Sequence, residues 1–281
     1  MPRVSVLTPL YNTNPVHLRE MIESILSQTF TDFEFVILSD SPDNKEIDKI
    51  VKSYKDKRIK YFKNKKNMGI TPSRNKLLQM ACGEYVAIFD HDDISVPERL
   101  EKQVAFLDSN PHVGVVSGWL ELFGKDTGVV KNPEMDTDIK ICLTDNCYVA
   151  HTAAMIRKSV LNDNNIEYEE FYSPAEDYRL WARLMDVTHF HNLQKVMVRY
   201  RTMETNTTVT QWTKMSRAHD SICLDLRNKY PAYYREYKKR FDVTTQLKCR
   251  LFGFIPLFKI KRNRIYLFEC IPVCKIFWGK K

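Results

Sequence analysis

The 281-residue chain is 43% hydrophobic and 28% charged, which is the composition of a globular protein and excludes a disordered one. Its seven cysteines include no CxxC pair, so the sequence predicts neither a disulfide framework nor a zinc site. The net charge of +8 is uneven, because residues 238–281 carry +10 and the 237 residues before them carry −2. We therefore expect a nearly neutral body followed by a strongly basic tail.

The first half of the chain alternates strand and helix patterns. Strands are predicted at residues 4–8, 33–38, 59–62 and 85–89. A helix is predicted after each strand, beginning at Asn14-Pro15, near Lys45, at Thr71-Pro72 and near Val96, the third of them ending at Gly83. The alternation predicts a mostly parallel sheet with helices on both faces. Because no charged and apolar leader precedes the first strand, we expect an unexported protein.

The pattern changes after residue 110. Further strands are predicted at 113–118 and within 150–161, with a hairpin connection at 124–133 and an amphipathic helix at 211–228. Another helix has a clear start, because Ser173 fits the N-cap, Pro174 the first helical position and Glu176 the third, which makes a capping box. Its buried face is expected to hold Leu180, Trp181 and Leu184.

Three carboxylates, Asp90, Asp92 and Asp93, follow the predicted strand at 85–89. Like charges so close raise one another's pKa unless a cation offsets them, and Mg²⁺ and Mn²⁺ prefer carboxylate ligands. In an extended chain Asp90 and Asp92 point the same way, so both can address one metal. Ligands of open α/β sheets bind beyond the carboxyl ends of strands, where residues 8–12 and 39–43 also lie.

Two familiar types of binding loop do not fit the acidic cluster. A calcium loop of the EF-hand type needs glycine at its sixth position, where Ser95 stands. Neither GxGxxG nor GxxxxGK[ST] occurs, so the usual nucleotide loops are excluded. A plain polar loop at a strand end remains the alternative to a metal-binding D-x-D.

Four stretches together resemble the family 2 glycosyltransferases: "VSVLTPLYN", Asp40 after "FVIL", "GITPSRNKLLQMACGEYVAIFDHDDISVPERL" and "SPAEDYRLWARL". They follow one another in the family's order and cover about residues 3–205. The resemblance implies the α/β GT-A fold, with a mostly parallel Rossmann-like sheet flanked by helices. It implies a nucleotide-sugar-binding half at 1–110 and an acceptor-binding half at 111–210. A helical basic C-terminal tail is expected to follow this fold. Beyond the part that the resemblance covers, the basic and aromatic composition predicts a membrane-associating region at 211–281.

The resemblance also implies roles for individual residues. The implied donor-binding residues are Thr8, Pro9, Tyr11, Asp40, Arg74 and Asp90. His91 is a further donor-side candidate from its position between the D-x-D acids, as a metal or phosphate contact, although this central position varies in such motifs. Thr8 and Tyr11 would border the base, Asp40 would bind base or ribose, and Arg74 would face the diphosphate or base. Asp92 would be the more direct metal ligand, with Asp90 nearer the ribose. Ser39 replaces an acid present in many members, so the identity of the base stays open.

Inverting transfer needs one positioned carboxylate that takes the proton of the acceptor hydroxyl. Asp177 matches the family's catalytic aspartate, and the helix N-terminus is expected to keep it ionised. Glu176 has the alternative role of capping its own helix and complementing the helix dipole. His151 and Glu176 are the candidates for the acceptor side.

The implied function is inverting transfer of a hexose or N-acetylhexosamine from a nucleoside diphosphate-sugar, with a UDP-sugar as the favoured donor and Mg²⁺ or Mn²⁺ as cofactor. The acceptor would be a hydroxyl of a glycan or lipid-linked molecule in bacterial cell-surface polysaccharide biosynthesis. Two alternatives stay open, a metal-dependent phosphodiesterase or nucleotidyltransferase and a non-catalytic membrane- or nucleic-acid-binding module.

The basic tail interleaves cations with aromatic and aliphatic residues but has no apolar run of 18 residues. This pattern predicts interfacial binding to an anionic membrane, not a membrane span. We therefore expect a cytoplasmic enzyme attached to the inner face of the cell membrane. Basic-aromatic patches can also bind nucleic acid, but no nucleic-acid-binding motif accompanies this one, so no nucleic-acid partner is expected.

Overall fold

The computed structural model describes residues 1–241 and, beyond them, the backbone of 248–251, 255–261, 264–267 and 271–275. The strands are β1 (Val4–Leu10), β2 (Phe33–Ser39), β3 (Ile59–Lys63), β4 (Tyr85–Ile88), β5 (Ile94–Ser95), β6 (Val113–Gly124), β7 (Gly128–Val130), β8 (Met155–Arg157), β9 (His189–Thr202), β10 (Lys248–Leu251), β11 (Ile255–Lys261), β12 (Arg264–Leu267) and β13 (Ile271–Lys275). The α-helices are α1 (Pro15–Leu26), α2 (Lys45–Ser53), α3 (Ile70–Met80), α4 (Arg99–Ser109), α5 (Asp136–Leu143), α6 (Lys158–Asp163), α7 (Glu176–Leu184), α8 (Thr207–Thr210), α9 (Trp212–Lys229) and α10 (Pro231–Phe241). Short 3₁₀ turns occur at His151–Ala153 and Glu170–Tyr172.

One sheet organises residues 1–241. Its strand order is β3-β2-β1-β4-β8-β6-β9-β5, with β7 paired to β6 as the predicted hairpin. The first four strands are parallel, as the alternating pattern predicted. β8 then runs antiparallel to both β4 and β6, whereas β9 is parallel to β6. The sheet is therefore parallel in its first half and mixed in its second.

The first helix shows how local sequence determines an element. The side chain of Asn14 accepts hydrogen bonds from the backbone N–H groups of Val16 and His17, and Pro15 occupies the first helical position. Because the first N–H groups of a helix have no partner within it, this cap satisfies two of them. The apolar face is buried against the sheet through Leu18, Met21, Ile22 and Ile25.

Two predicted helix ends are shifted. α3 ends at Met80, and Gly83 is needed for a different reason, since a Cβ at this position would lie 2.6 Å from the backbone nitrogen of Ser5 in β1. α4 begins at Arg99, three residues after the predicted start, because Ile94–Ser95 first pair with β9.

The predicted capping box is wrong. α7 begins at Glu176 with Ala175 as its N-cap, and no side chain caps it. Glu176 is thus the first helical residue instead of the third, and Ser173 makes no capping hydrogen bond to this helix. The predicted buried face is confirmed, because Leu180, Trp181 and Leu184 are all buried.

The C-terminal region is helical through Phe241, with α9 close to its predicted bounds. Beyond it the described backbone forms the antiparallel strands β10 to β13, which differs from the helical tail that was expected. Pro256 and Pro272 disfavour a helix there, and the many aromatic and β-branched residues favour strands. The side chains expected to enter a membrane lie outside the described residues. Within the described part, no helix has the length and apolarity that crossing a bilayer requires.

Candidate active site

The predicted crevice lies where parallel strands end. β1, β2 and β4 run side by side, so Tyr11, Asp40 and Asp90, which follow them, reach the same edge of the sheet. β1 continues two residues beyond its predicted end, which leaves Thr8 and Pro9 buried within the strand. Tyr11 follows the strand and is 53% exposed. Of Thr8, Pro9 and Tyr11, Tyr11 is thus the exposed one that a nucleoside can reach directly.

Asp40 holds the loop before α3. Its Oδ1 accepts hydrogen bonds from Asn64 Nδ2 at 2.7 Å and from the backbone N–H of Met68 at 2.8 Å. Its Oδ2 accepts from the backbone N–H of Gly69, also at 2.8 Å. A carboxylate offers about four acceptor positions, so these bonds leave about one for a nucleoside. The predicted contact of Asp40 with base or ribose stays a prediction.

The D-x-D loop is fixed from two sides. The backbone N–H of Asp90 donates to Thr152 Oγ1 at 3.2 Å, in the 3₁₀ turn after α5. Arg201 in β9 donates from Nε to the carbonyl oxygen of Asp92 at 2.8 Å and from its backbone nitrogen to Asp93 Oδ1 at 2.9 Å. The second half of the chain therefore holds the acidic loop that follows β4.

An arginine bridge connects the D-x-D to α7. Arg74 Nη2 lies 3.0 Å from Asp90 Oδ1, and Arg74 Nη1 lies 2.6 Å from Glu176 Oε1. All three side chains are largely buried, at 12%, 26% and 4% exposure for Arg74, Asp90 and Glu176. Burial by itself would raise the pKa of Asp90, but the Arg74 guanidinium outweighs it and the pKa lies below its ordinary value. Arg74, predicted to face the donor, thus also joins two carboxylates.

Asp177 follows Glu176 on α7. Its Oδ1 accepts a hydrogen bond from the backbone N–H of Tyr178 at 2.7 Å. Burial, with the neighbouring charge of Glu176, raises the pKa of Asp177 to about 6, although Arg74 opposes the shift. The carboxylate is ionised at neutral pH, as a base requires, but its pKa is raised and not lowered as the helix N-terminus suggested.

The three acids of the cluster have different surroundings. Asp93 is fully buried, and burial with the charges of Asp92 and Asp90 raises its pKa far above the ordinary range. It binds the backbone of β9, so it is a structural acid. Burial also raises the pKa of Asp92, with Asp90 adding to the effect and His91 and His17 opposing it.

The donor set suits a divalent cation that is shared with a substrate. Within residues 1–241 the Asp92 carboxylate accepts no hydrogen bond from another residue, and Asp90 keeps Oδ2 free beside its bond to Arg74. No cluster of three or more His, Cys, Asp or Glu side chains in the described chain forms a closed metal cage. Mg²⁺ is commonly held by one or two carboxylates plus phosphate oxygens of the substrate, so Asp92 and Asp90 fit such an ion.

The two histidines near the site differ in their environment. His151 is 8% exposed, and its Nε2 lies 2.9 Å from the Tyr168 hydroxyl. Burial, reinforced by Arg74, lowers the pKa of His151 to about 3, so the ring is neutral. Because His151 is buried and contacts Tyr168, it is better placed to support the site than to line an open acceptor surface. Its role on the acceptor side stays a prediction. His91 has its Nδ1 buried without a hydrogen-bond partner among the described residues.

Sequence reasoning missed Arg201. Besides its two bonds to the acidic loop, its Nη2 lies 2.6 Å from Glu20 Oε2 of α1, and its guanidinium lies 4.4 Å from the ring centre of Phe123. The arginine is far from the D-x-D in sequence, and no local pattern marks it.

The sequence profile named Glycosyl transferase family 2 matches residues 5–165, more than half of the chain. The chain belongs to glycosyltransferase family 2. An uncharacterized glycosyltransferase of Methanocaldococcus jannaschii is a similar protein, 35% identical over 207 residues, which are 71% of each chain. The putative glycosyltransferase EpsE of Bacillus subtilis is 41% identical over 125 residues, covering 43% of this chain and 44% of EpsE.

Solved structures share the fold of this family 2 glycosyltransferase. S. aureus TarS 1–349 in complex with UDP-GlcNAc has a TM-score of 0.63 and 23% identity, covering 86% of this chain and 76% of TarS 1–349. The mannosyltransferase PcManGT from Pyrobaculum calidifontis, in complex with GDP-Man and Mn²⁺, has a TM-score of 0.62 and 16% identity, covering 85% and 70%. These likenesses confirm the predicted GT-A fold, and the family membership confirms a glycosyltransferase that uses a nucleotide-sugar.

Proposed function

We propose that this family 2 glycosyltransferase transfers a hexosyl or N-acetylhexosaminyl group with inversion, using Mg²⁺ or Mn²⁺ at Asp92 and Asp90 and Asp177 as the base. The observation that carries the proposal is the Arg74 bridge, which joins Asp90 of the D-x-D to Glu176, the neighbour of Asp177. A metal-binding acid and a candidate base with a pKa of about 6 are thereby held in one network.

Each residue then has a defined part in the reaction. Tyr11 is accessible for contact with the base, and Asp92 and Asp90 offer oxygen ligands to the cation. The cation would stabilise the negative charge that develops on the leaving nucleoside diphosphate. Asp177 keeps Oδ2 free of hydrogen bonds to the described residues, so this oxygen takes the acceptor's hydroxyl proton as the new glycosidic bond forms. Attack from the face opposite the leaving group gives inversion.

The donor is proposed to be a nucleoside diphosphate-sugar, with a UDP-sugar favoured. Support comes from similar folds, since TarS 1–349 binds UDP-GlcNAc and PcManGT binds GDP-Man with Mn²⁺. The acceptor is proposed to be a glycan or lipid-linked hydroxyl in cell-surface polysaccharide synthesis at the inner face of the membrane. The net charge of +10 on residues 238–281 supports the membrane location.

The proposal is tested by screening UDP- and GDP-sugars by calorimetry with Mn²⁺ and with a chelator. We expect one nucleotide-sugar class to bind, and the binding to require the cation. In a separate incubation a glycosyltransferase releases the nucleoside diphosphate and the free sugar slowly by transfer to water. Release of sugar phosphate or nucleoside monophosphate would instead indicate the phosphodiesterase alternative, and absence of any nucleotide binding would indicate the non-catalytic module.

A substitution of Arg201 tests how the D-x-D is held. Arg201→Gln removes the guanidinium that binds the Asp92 carbonyl and Glu20, so Asp92 is less well positioned for the cation. We expect the Mn²⁺ concentration that half-saturates donor binding to rise about 10- to 100-fold, as for other residues that orient metal ligands. Isothermal titration of Mn²⁺ at fixed nucleotide measures this.

Arg199→Gln is the matched control on the same strand. Arg199 forms an ion pair with Glu121 at 3.1 Å, and both side chains are nearly half exposed. Exposed pairs of this kind contribute little to stability, and this one does not contact the acidic loop. Equal effects of the two substitutions, or no effect of Arg201→Gln, would contradict the assigned role.

A further inference from the structure

A second concentration of positive charge lies at the edge of the sheet. Residues 45–66, called here the lysine edge, cover α2, the following turn, β3 and the start of the next loop. They contain ten lysines and arginines against three carboxylates, a net charge of +7. Since all residues before position 238 carry −2 together, those outside the lysine edge carry −9. The body of the protein is therefore not evenly neutral but strongly polarised.

The charges of the lysine edge are exposed and mostly unpaired. All nine lysines of the lysine edge are exposed: Lys45, Lys49, Lys52, Lys55, Lys57, Lys60, Lys63, Lys65 and Lys66. Lys63 forms an ion pair with Asp48 at 2.6 Å. The other eight have no carboxylate within ion-pair distance in the described part of the chain. Such mutual repulsion is unfavourable for the isolated protein and is relieved by an anionic partner.

The arrangement is a broad surface and not a groove. Lys45, Lys49 and Lys52 follow one stripe of α2 whose opposite face is buried. β3 is the last strand of the sheet, and its exposed Lys60 protects that edge from pairing with another strand. The lysines of β3 itself, Lys60 and Lys63, serve that purpose, so edge protection does not account for the lysines of α2 and of the two loops.

We propose that the lysine edge binds the surface of an anionic lipid bilayer. Each lysine near a charged membrane is attracted by the summed negative charge of many lipid headgroups. The lysines therefore need no fixed geometry. Two apolar side chains lie beside them, Phe62 at 44% and Met68 at 45% exposure, and can enter the interface. Nucleic-acid binding fits less well, because a single-strand site needs several stacking aromatics along a groove.

The location of the lysine edge gives the contact a function. Lys65 and Lys66 follow the carboxyl end of β3, which lies at the same side of the sheet as Asp40 and Asp90. A bilayer bound here would lie beside the candidate crevice, within reach of an acceptor carried on a lipid. The membrane contact does not depend on the proposed metal or base, so its test can fail while the proposed chemistry holds.

The test uses the entire 281-residue chain with Lys49→Glu, Lys52→Glu and Lys60→Glu combined. Its binding is measured by co-sedimentation with vesicles of phosphatidylcholine containing phosphatidylglycerol and with vesicles of phosphatidylcholine alone. We expect wild type to bind the anionic vesicles selectively and the triple variant to bind them at least about 100-fold more weakly, from about 1 kcal/mol for each lysine removed. The matched control combines Lys195→Glu, Lys214→Glu and Arg217→Glu, which are also exposed, and it should lose far less affinity.

Two further arms separate the contributions of the tail and of nucleic acid. A variant with Lys259→Glu, Lys261→Glu and Arg264→Glu reports the contribution of the tail. Double-stranded DNA is added as a competitor at matched phosphate concentration.

Unchanged vesicle binding of the lysine-edge variant, an equal loss in the matched control, or loss in the tail variant alone would overturn the inference. Complete displacement of vesicles by DNA would do the same. Thermal melts confirm that each variant is folded, and Lys→Gln versions of the same positions should give smaller losses in the same direction.

Discussion

Asp177→Asn is expected to lower the rate of sugar transfer by about 10²–10⁴-fold, the usual contribution of a general base, while donor binding stays near that of wild type. Asparagine keeps the size of the side chain and its oxygen bond to the Tyr178 backbone, but it cannot take a proton. The measurement is kcat for transfer together with the affinity for the nucleotide-sugar. Near-wild-type turnover in the variant would assign the base to another residue.

The same substitution should not destabilise the protein. Because burial raises the pKa of Asp177 to about 6, the folded state binds more protons than the unfolded state between about pH 4 and pH 6. Ionisation of Asp177 therefore lowers stability as pH rises through that window, and the penalty persists above it. Asparagine lacks the penalty, so Tm at pH 7.5 should be equal to or higher than that of wild type.

A pH profile adds a second readout. Asp177 accepts a proton only when it is ionised, so kcat for wild type should fall as pH drops below about 6. Glu176→Gln is the informative comparison, since it removes the neighbouring charge that raises the pKa of Asp177. The fall should then begin at lower pH. A profile that does not move would mean that another group controls the acid limb.

Asp92→Asn is expected to abolish the part of donor binding that depends on Mn²⁺, a loss of roughly 100-fold or more, since a bound cation supplies several kcal/mol of charge stabilisation. The fold should be retained, because Arg201 binds the carbonyl oxygen of Asp92 and not its carboxylate. Removing one charge from a crowded acidic loop also relieves repulsion with Asp90.

Calorimetric titration of the nucleotide-sugar with Mn²⁺ and with a chelator measures the loss. Asp163→Asn, on the exposed end of α6, is the control for a general change of charge. If Asp92→Asn keeps the full difference between the two titrations, the cation is bound elsewhere. If both variants lose it equally, the effect comes from net charge and not from a ligand.

Much of the first half of the fold could be predicted because its signals are local. Asn14-Pro15 caps α1 by itself, and continuous apolar strands with helices between them indicate parallel pairing. The D-x-D could be placed at a strand end for the same reason. β9 gave no comparable signal, since charged and polar side chains such as Lys195 and Arg199 interrupt its 14 residues.

The site was harder to predict where distant residues compete with local patterns. Ser173, Pro174 and Glu176 have the spacing of a capping box, yet Glu176 binds Arg74, which lies 102 residues earlier in the chain. A buried arginine that already faces Asp90 attracts a second carboxylate more strongly than a neutral hydroxyl does. The contacts of Arg201 span 108 residues to Asp93, and no local pattern indicates a partner at that separation.

The Arg74 guanidinium, which Asp90 and Glu176 share, also limits which substitutions the protein can tolerate. Loss of Arg74 alone would leave Asp90 and Glu176 facing each other without a cation, and an uncompensated buried charge is far more costly than a missing pair. Substitutions at positions 74 and 176 should therefore be strongly non-additive, with a neutral residue at 176 tolerated better once 74 is also neutral. Variants that lose Arg74 will survive selection chiefly when position 176 is also neutral, so a library built from single changes would miss these functional sequences.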